Sequence, residues 1–239
     1  MDIEKIWILR NRYYSTVSLG DENNMTYKFI KDEADSPPVL IKFFDCENHA
    51  DNFLKGNIII RKIEVFKTVE NKRRDETENI EHSKYEMSDG ILDCERTFIN
   101  PVYILCLSGP DCNLSRCYDN FGTYTVLIND IVEFKKRLYE KWKSFNFALG
   151  VTFHDVVYNK SEVIEAPQYL MSPHGTSLRQ KEKSHDYANE YRFIFKCKMN
   201  ITFQFKEKLE LEIGDITNIA ERKICIEELK HALLLKNSK

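Results

Sequence analysis

The stretch KEKSHDYANEYRFIFKCK, residues 181–198, ends in the pattern that decides the fold of this chain. Apolar and polar side chains alternate from Glu190 onward, and this period of two predicts a β-strand. The apolar face carries Tyr191, Phe193, Phe195 and Cys197. The opposite face carries Glu190 and Arg192 beside Ile194. A carboxylate and a guanidinium are therefore predicted to lie side by side on one face of a sheet.

Three interpretations of these two charged side chains stay open at this point. They pair structurally, they form part of a site, or they are solvated on an edge strand, since charged residues are mostly exposed. Lys181 and Lys183 lie just upstream. Two or three positive donors around one carboxylate would suit an anionic or phosphate-bearing ligand. The stretch is therefore also a candidate ligand site.

The composition predicts one folded domain with an N-terminal appendage. At 239 residues, with 42% apolar and 12% aromatic residues, the chain is long enough to bury a full core. We expect the appendage to span residues 1–36 and the core domain residues 37–239, because Pro37 and Pro38 precede the first compact β-type run. Residues 68–90 are rich in charge and poor in apolar side chains, which predicts a long surface excursion.

Charge and hydropathy limit the classes of partner. A net charge of −3 argues against a protein that coats nucleic acid through its overall field, and it leaves a local basic patch open. No apolar run approaches the roughly 20 residues that span a bilayer, and the first residues lack the pattern of a signal peptide. The sequence therefore predicts a cytoplasmic protein without a membrane partner.

The cysteines raise the question of a metal site. Seven cysteines without regular spacing favour reduced thiols over a disulfide scaffold. Cys112 and Cys117 are separated by four residues, which is within the range of a zinc half-site. Cys106 lies in the apolar run VYILCLS, where a small buried side chain is the simpler account. No histidine has a visible partner at ligand spacing, so we predict no metal site.

The element pattern predicts an α+β fold, with a single mixed, largely antiparallel sheet and a few packing helices. The predicted strands are VLIKFFD (39–45), NIIIRKIEVF (57–66), VYILCLS (102–108), TYTVLIN (123–129), VTFHDVVY (151–158), YRFIFKCK (191–198), ITFQFK (201–206) and the weaker LELEI (209–213). Helices are predicted after Asp45, after Asp130, where Glu133 completes a capping box, and over IEELKHALLL (226–235).

A second charged cluster, KRRDETEN, covers residues 72–79 within the predicted excursion. Such a cluster is most often a solvated loop whose charges pair with one another. If the loop folds back over the sheet, Asp75 or Glu78 can approach Glu190. Clustered carboxylates would then perturb each other's pKa or bind a divalent cation.

Several short elements follow one another in a defined order. They are Lys42 in LIKFF, the D-x-x-E element from Asp75 to Glu78, the C-x-S strand from Cys106 to Ser108, FGTYTVLIND followed by the helix IVEFKKRL, the lysine-to-EYR element from Lys183 through Glu190 to Arg192, and IGDI at 213–216. Their order resembles a family of bacterial and phage domains of unknown function that carry an FNDPFE-like signature and occur among phage-defence genes. The asparagine and proline of the FNDP form are absent here.

That family is in turn remotely similar to the ADP-ribosyltransferase fold. This resemblance implies a split sheet that binds NAD, with Lys42 on the first strand, Ser108 orienting on the second and Glu190 catalytic on the third. It further implies Lys42, Arg192 and Lys183 as cofactor-binding residues, Asp75 and Glu78 as further candidates, and a macromolecular acceptor, protein or nucleic acid. The chain departs from the transferase pattern in two places: Ala188 stands where an E-x-E motif needs a glutamate, and Gly109 and Pro110 follow Ser108.

Two other classes of function stay open. Asp75, Glu78, Glu190 and Lys183 are residue types that metal-dependent nucleases use to hold Mg²⁺ and to stabilise charge at a phosphate. A nuclease core, however, usually places glutamate and lysine two apart on one strand, where this chain has Glu190 and Arg192. The protein could instead be a non-catalytic defence or toxin-antitoxin binding protein, because the resemblance names no reaction. The expected setting is a phage-defence or toxin-like system, and the oligomeric state stays open.

Overall fold

The computed structural model describes residues 7–11, 37–67, 78–87, 90–97, 101–158, 163–165, 178, 181–198, 205–223 and 225–237. Its strands are β1 (Trp7–Asn11), β2 (Leu40–Phe44), β3 (Asn57–Lys62), β4 (Ile80–Met87), β5 (Gly90–Thr97), β6 (Val102–Ser108), β7 (Tyr124–Ile128), β8 (Ala148–Asp155), β9 (Val163–Glu165), β10 (Glu190–Cys197), β11 (Lys208–Glu212) and β12 (Ala220–Lys223). Its α-helices are α1 (Glu47–Leu54), α2 (Leu114–Phe121), α3 (Ile131–Lys143) and α4 (Ile226–Asn237), and short 3-10 helices cover Ile63–Lys67 and Lys183–Ala188.

Eight of these strands form one large open sheet, which confirms the predicted α+β fold. Six strands follow the order β11-β3-β6-β2-β7-β12, while β10 lies between β6 and β8. All registered pairs within this sheet are antiparallel. Among the described strands, no two neighbours in this sheet follow one another directly in the chain, so its antiparallel pairs arise from long-range contacts and not from hairpins.

A second, four-stranded sheet has the order β1-β5-β4-β9. Strands β4 and β5 form an antiparallel hairpin, β1 pairs with β5 in parallel, and β9 pairs with β4 in parallel. Residues 80–87 of the expected surface excursion therefore form a strand of this sheet. Residues 7–11 of the expected appendage join it as β1.

The main core fills the space between α1, α3 and one face of the large sheet, and it contains a cluster of aromatic side chains. Trp142 of α3 lies at its centre, with its ring centroid 5.2 Å from that of Phe195 and 5.6 Å from that of Phe147. Phe193 contacts Phe134 of α3 edge to face at 5.7 Å. Aromatic pairs in these geometries add to the free energy gained from burying apolar area.

The opposite face of the sheet is covered by a smaller core. Ile41, Phe43 and Leu127 from β2 and β7 pack there with Cys117 of α2 and Leu229 of α4. The sheet is thus covered on both faces, which explains why its central strands are continuous apolar runs. Among the described residues, no helix is both long enough and apolar enough to cross a membrane.

Local sequence signals place the helices. The Asp130 side chain accepts a hydrogen bond from the backbone N–H of Glu133 at 2.9 Å, so the predicted start of α3 is confirmed. Helix α1 begins one residue later than predicted, with Cys46 as its N-cap. It ends before Gly56, which has a φ of +85° that favours glycine.

The strand β10 is not an edge strand. It pairs with β6 along one side and with β8 along the other. Arg192 in its centre is 0% exposed, so the interpretation as an edge strand with solvated charges is wrong. The apolar face predicted for this strand is confirmed, since Phe193, Phe195 and Cys197 all belong to the main core.

Gly56 offers a test of the fold, because its backbone packs closely against Gly214, just after β11. A Cβ atom at position 56 would lie 1.9 Å from the carbonyl oxygen of Gly214, and the positive φ adds strain. We expect Gly56→Ala to lower the free energy of unfolding by roughly 2–4 kcal/mol, measured by urea denaturation. Gly150→Ala in β8 is the matched control, because a Cβ there meets no atom within 4 Å. Equal stability of the two variants would contradict this packing.

Candidate functional site

The large sheet splits beside β6. One edge of β6 pairs with β10 along its whole length, so β2 and β3 share the other edge. Ser108 pairs with Ile41 of β2 at one end, and Ile104 pairs with Arg61 of β3 towards the other. Between these contacts, the Lys42 ammonium donates a hydrogen bond to the Cys106 carbonyl at 2.8 Å. Lys42 therefore bridges β2 and β6 where strand pairing is interrupted.

A cavity of about 320 Å³ lies at this split. Its wall combines basic, aromatic and acidic side chains from several elements. They include Lys42, Phe43, Arg61, Ser108, Phe121 and Glu190. A small site with apolar walls and a few converging polar groups is the usual form of a ligand pocket.

Glu190 and Ser108 lie next to each other in this wall. They are register partners on β10 and β6, and they are 6% and 5% exposed. Directly paired residues of antiparallel strands have Cβ atoms roughly 4.5–5.5 Å apart. The backbone N–H of Glu190 donates to the Tyr158 hydroxyl at 2.7 Å, which holds the start of β10 in place.

Beneath the cavity, Arg192 connects two glutamates. Its Nε donates to Glu190 Oε1 at 2.6 Å, and its Nη1 and Nη2 donate to the two oxygens of Glu78 at 2.6 and 3.0 Å. Nη1 also donates to the Leu178 carbonyl at 2.8 Å. Every guanidinium nitrogen thus has an acceptor, and Arg192 is not among the described residues that line the cavity.

Lys181 completes this buried network. Its ammonium lies 2.9 Å from Glu190 Oε2 and 3.9 Å from Glu78 Oε2. The four side chains carry two positive and two negative charges, so the network is formally neutral. A buried charge is tolerated only when it is paired and hydrogen-bonded, and each of the four meets this condition.

The network determines the protonation of Glu190. Burial alone would raise the pKa of this carboxyl, but the charges of Arg192 and Lys181 outweigh burial and hold the pKa well below its usual range. Burial likewise disfavours charge on Lys181, yet Glu190 and Glu78 raise its pKa. Burial and the Glu190 charge raise the pKa of Cys106 to about 12. At neutral pH the site therefore presents an ionised Glu190 carboxylate that accepts a hydrogen bond from the neutral Cys106 thiol.

The structure brings together four of the residues singled out from sequence: Lys42, Glu78, Ser108 and Glu190 all line the cavity. Arg192 lies behind them, and all three of its guanidinium nitrogens donate hydrogen bonds to groups of the protein. Lys183 is exposed in its 3-10 helix and is not among the described residues of the cavity wall. Asp75 lies outside the described residues. Lys181, and not Lys183, supplies the upstream positive charge that the sequence predicts near Glu190.

Two other contributors, Tyr158 and Leu178, carry no signal in the sequence. Tyr158 follows β8, Leu178 lies outside the strands and α-helices, and no spacing pattern marks either residue. Cys117 of α2 shares a hydrogen bond with Ser108. Cys112 and Cys117 occupy the positions before the N-cap and four residues into α2, where side chains commonly pack together. Their spacing is therefore explained by the start of a helix.

Comparisons with protein-family models, with curated proteins and with solved structures each find no match. The resemblance to the FNDPFE-like family and to ADP-ribosyltransferases thus stays a prediction that rests on the sequence.

Because Arg192 and Glu78 form a buried ion pair, we expect substitution of Glu78 to destabilise the fold strongly. Glu78→Gln would remove one of the two charged partners of a buried guanidinium, so we expect a loss of about 3–5 kcal/mol in the free energy of unfolding. The control is Glu47→Gln, which removes a bond of 2.7 Å to Arg222 from a glutamate side chain that is 59% exposed. For this control we expect the free energy of unfolding to fall by at most about 1 kcal/mol. Urea denaturation of both variants measures the difference, and equal losses would mean that the Glu78 pair is solvated.

The lowered pKa of Glu190 predicts a pH dependence. The stability that its ionised form contributes is fully present above the ordinary glutamate value of 4.5 and is lost as pH falls below it. We therefore expect the stability gap between wild type and Glu190→Gln to be constant from about pH 7 to about pH 5.5 and to shrink towards about pH 3. Denaturation curves across this range provide the test. A gap that stays constant down to the acid end would show that Glu190 is not held ionised by the network.

Proposed function

We propose that this chain is an ADP-ribosyltransferase-like enzyme that binds NAD in the cavity and uses Glu190 as its catalytic carboxylate. One observation carries the proposal: Lys42, Ser108 and Glu190 lie on three neighbouring strands and line one cavity at a split in the sheet. The same three residues match the lysine, serine and glutamate positions that the family resemblance implies.

The chemistry fits the electrostatics of Glu190. In the transfer, the bond between nicotinamide and ribose breaks, nicotinamide leaves with the electron pair, and an acceptor nucleophile forms a bond to the same carbon and gives up its proton. Positive charge develops on the ribose in the transition state, and a preorganised carboxylate stabilises it. Glu190 is held ionised and oriented, and carboxylate oxygens can accept further hydrogen bonds, such as one from the ribose 2′-hydroxyl.

The cavity suits part of a dinucleotide. Its volume of about 320 Å³ is at the lower end of the roughly 300–1,000 Å³ of small-molecule sites, which suits the nicotinamide ribose half. Phe43 and Phe121 provide aromatic surface, while Lys42 and Arg61 provide donors for a phosphate. The remaining half of the dinucleotide would lie outside this volume.

The other network residues act through Glu190 in this proposal. Arg192 is a positioning residue, because four of its five N–H donors are used within the protein and it is not among the described residues of the cavity wall. Lys181 and Glu78 line the cavity and balance the charge around Glu190. The acceptor is a protein or a nucleic acid, and the family resemblance favours a phage-defence or toxin-like setting.

Calorimetry with NAD tests the proposal, alongside an assay for released nicotinamide. We expect wild type to bind NAD, Lys42→Ala to bind at least about tenfold more weakly because a charged hydrogen bond is lost, and Glu190→Gln to bind but to release no nicotinamide. Lys136→Ala is the matched lysine control, because this side chain is 51% exposed on α3 and outside the described wall. Since Lys42 also bridges β2 and β6, thermal melting must show that its variant is folded.

Absence of binding by folded wild type at millimolar NAD would overturn the proposal, and so would unchanged nicotinamide release by Glu190→Gln. In either case, Mg²⁺-dependent cleavage of nucleic acid would favour the nuclease alternative. Failure of both activities would favour a non-catalytic binding protein.

A further inference from the structure

We propose that Asp45, Cys46 and His49 bind a divalent transition metal ion of the zinc class at the edge of the cavity. One ligand atom from each side chain lies within 4.8 Å of those of the other two. The three residues supply a carboxylate oxygen, a thiol sulfur and an imidazole nitrogen. This mixed set matches the ligands that zinc takes in proteins.

The start of helix α1 brings these side chains together. Cys46 is the N-cap and His49 the third helical residue, and side chains at these two positions face each other. Cys46 makes no side-chain hydrogen bond to the helix, so its sulfur is not used for capping. Asp45 precedes the cap and reaches the same point, where its Oδ1 lies 3.2 Å from His49 Nδ1.

The separation of these atoms is close to what a metal needs. Ligands held at roughly 2.0–2.3 Å around a tetrahedral ion lie roughly 3.3–3.7 Å from one another. The side chains of Asp45 and His49 are 74% and 55% exposed, so small rotations can close the remaining gap without disturbing the core. Binding would exchange the hydrogen bond between these two residues for two metal bonds and would release the thiol proton of Cys46.

Three protein ligands leave a fourth position open, as in catalytic zinc sites. Asp45 and His49 also line the cavity, so a bound ion would lie at its edge. With a carboxylate, a thiolate and a neutral imidazole, the loaded site has no net charge. Such an ion can hold a water molecule or an anionic group of a ligand. The proposal uses none of the residues on which NAD chemistry depends, so either proposal can fail without the other.

Cobalt(II) provides a probe that reports directly on the ligands. We expect the full-length protein to bind one Co²⁺ and to show the near-ultraviolet charge-transfer absorption of a cobalt–thiolate bond, together with visible bands typical of tetrahedral coordination. Zn²⁺ should displace the cobalt and bleach both signals. Cys46→Ser should lose the charge-transfer band, and His49→Ala should weaken Zn²⁺ binding at least about tenfold in competition with a chromophoric chelator.

Two controls make the result specific. Cys225→Ser removes another partly buried cysteine that does not belong to the cluster, and it should retain the band. Glu190→Gln should also retain it, which separates the metal site from the proposed transferase site. Absence of the band in wild type, or its survival in Cys46→Ser, would overturn the proposal.

Discussion

The arrangement of the site depends on the burial of Arg192. A guanidinium with no exposed surface is tolerable only because Glu190, Glu78 and a backbone carbonyl accept hydrogen bonds from all three of its nitrogens. These partners come from different parts of the chain. The hydrogen bonds of Arg192 therefore connect β10 to Glu78, which lies just before β4, and to Leu178. Lys181 balances the second glutamate charge. Replacing a whole network of this kind by apolar side chains is often neutral or stabilising, whereas removing a single partner is strongly destabilising.

The second constraint is the split of the sheet beside β6. Strands β2 and β3 contact opposite ends of one edge of β6, and helix α1 connects them. The Lys42 ammonium satisfies the Cys106 carbonyl, which strand pairing would otherwise satisfy. The split opens space for a cavity in an otherwise covered sheet, and the network directs Glu190 towards that space. The same connection through α1 places Asp45 and His49 at the edge of the cavity.

Much of the large sheet could be predicted because its central strands are buried on both faces and therefore read as continuous apolar runs. The start of α3 could also be predicted, because an aspartate at the N-cap accepts a hydrogen bond from the backbone N–H three residues later, here that of Glu133. Strands β4 and β5 form a hairpin with each other, and they were missed because their sequences are rich in charged and polar residues. Strands β1 and β12 were missed because they are short and owe their structure to pairing partners far along the chain. Pairing energy of this kind has no local signature in a single sequence. The predicted strand over residues 201–206 lies mostly outside the described residues.

For the site, the sequence by itself determined that Glu190 and Arg192 share one face of a strand, because side chains alternate with a period of two. It also marked Lys42 and Ser108 on strands of the same domain. Only the tertiary structure decided that the charged face is buried, that Lys181 and not Lys183 contacts Glu190, and that Glu78 closes the network. The physical reason is that alternation assigns a side chain to a face, whereas burial and pairing depend on which distant segments cover that face.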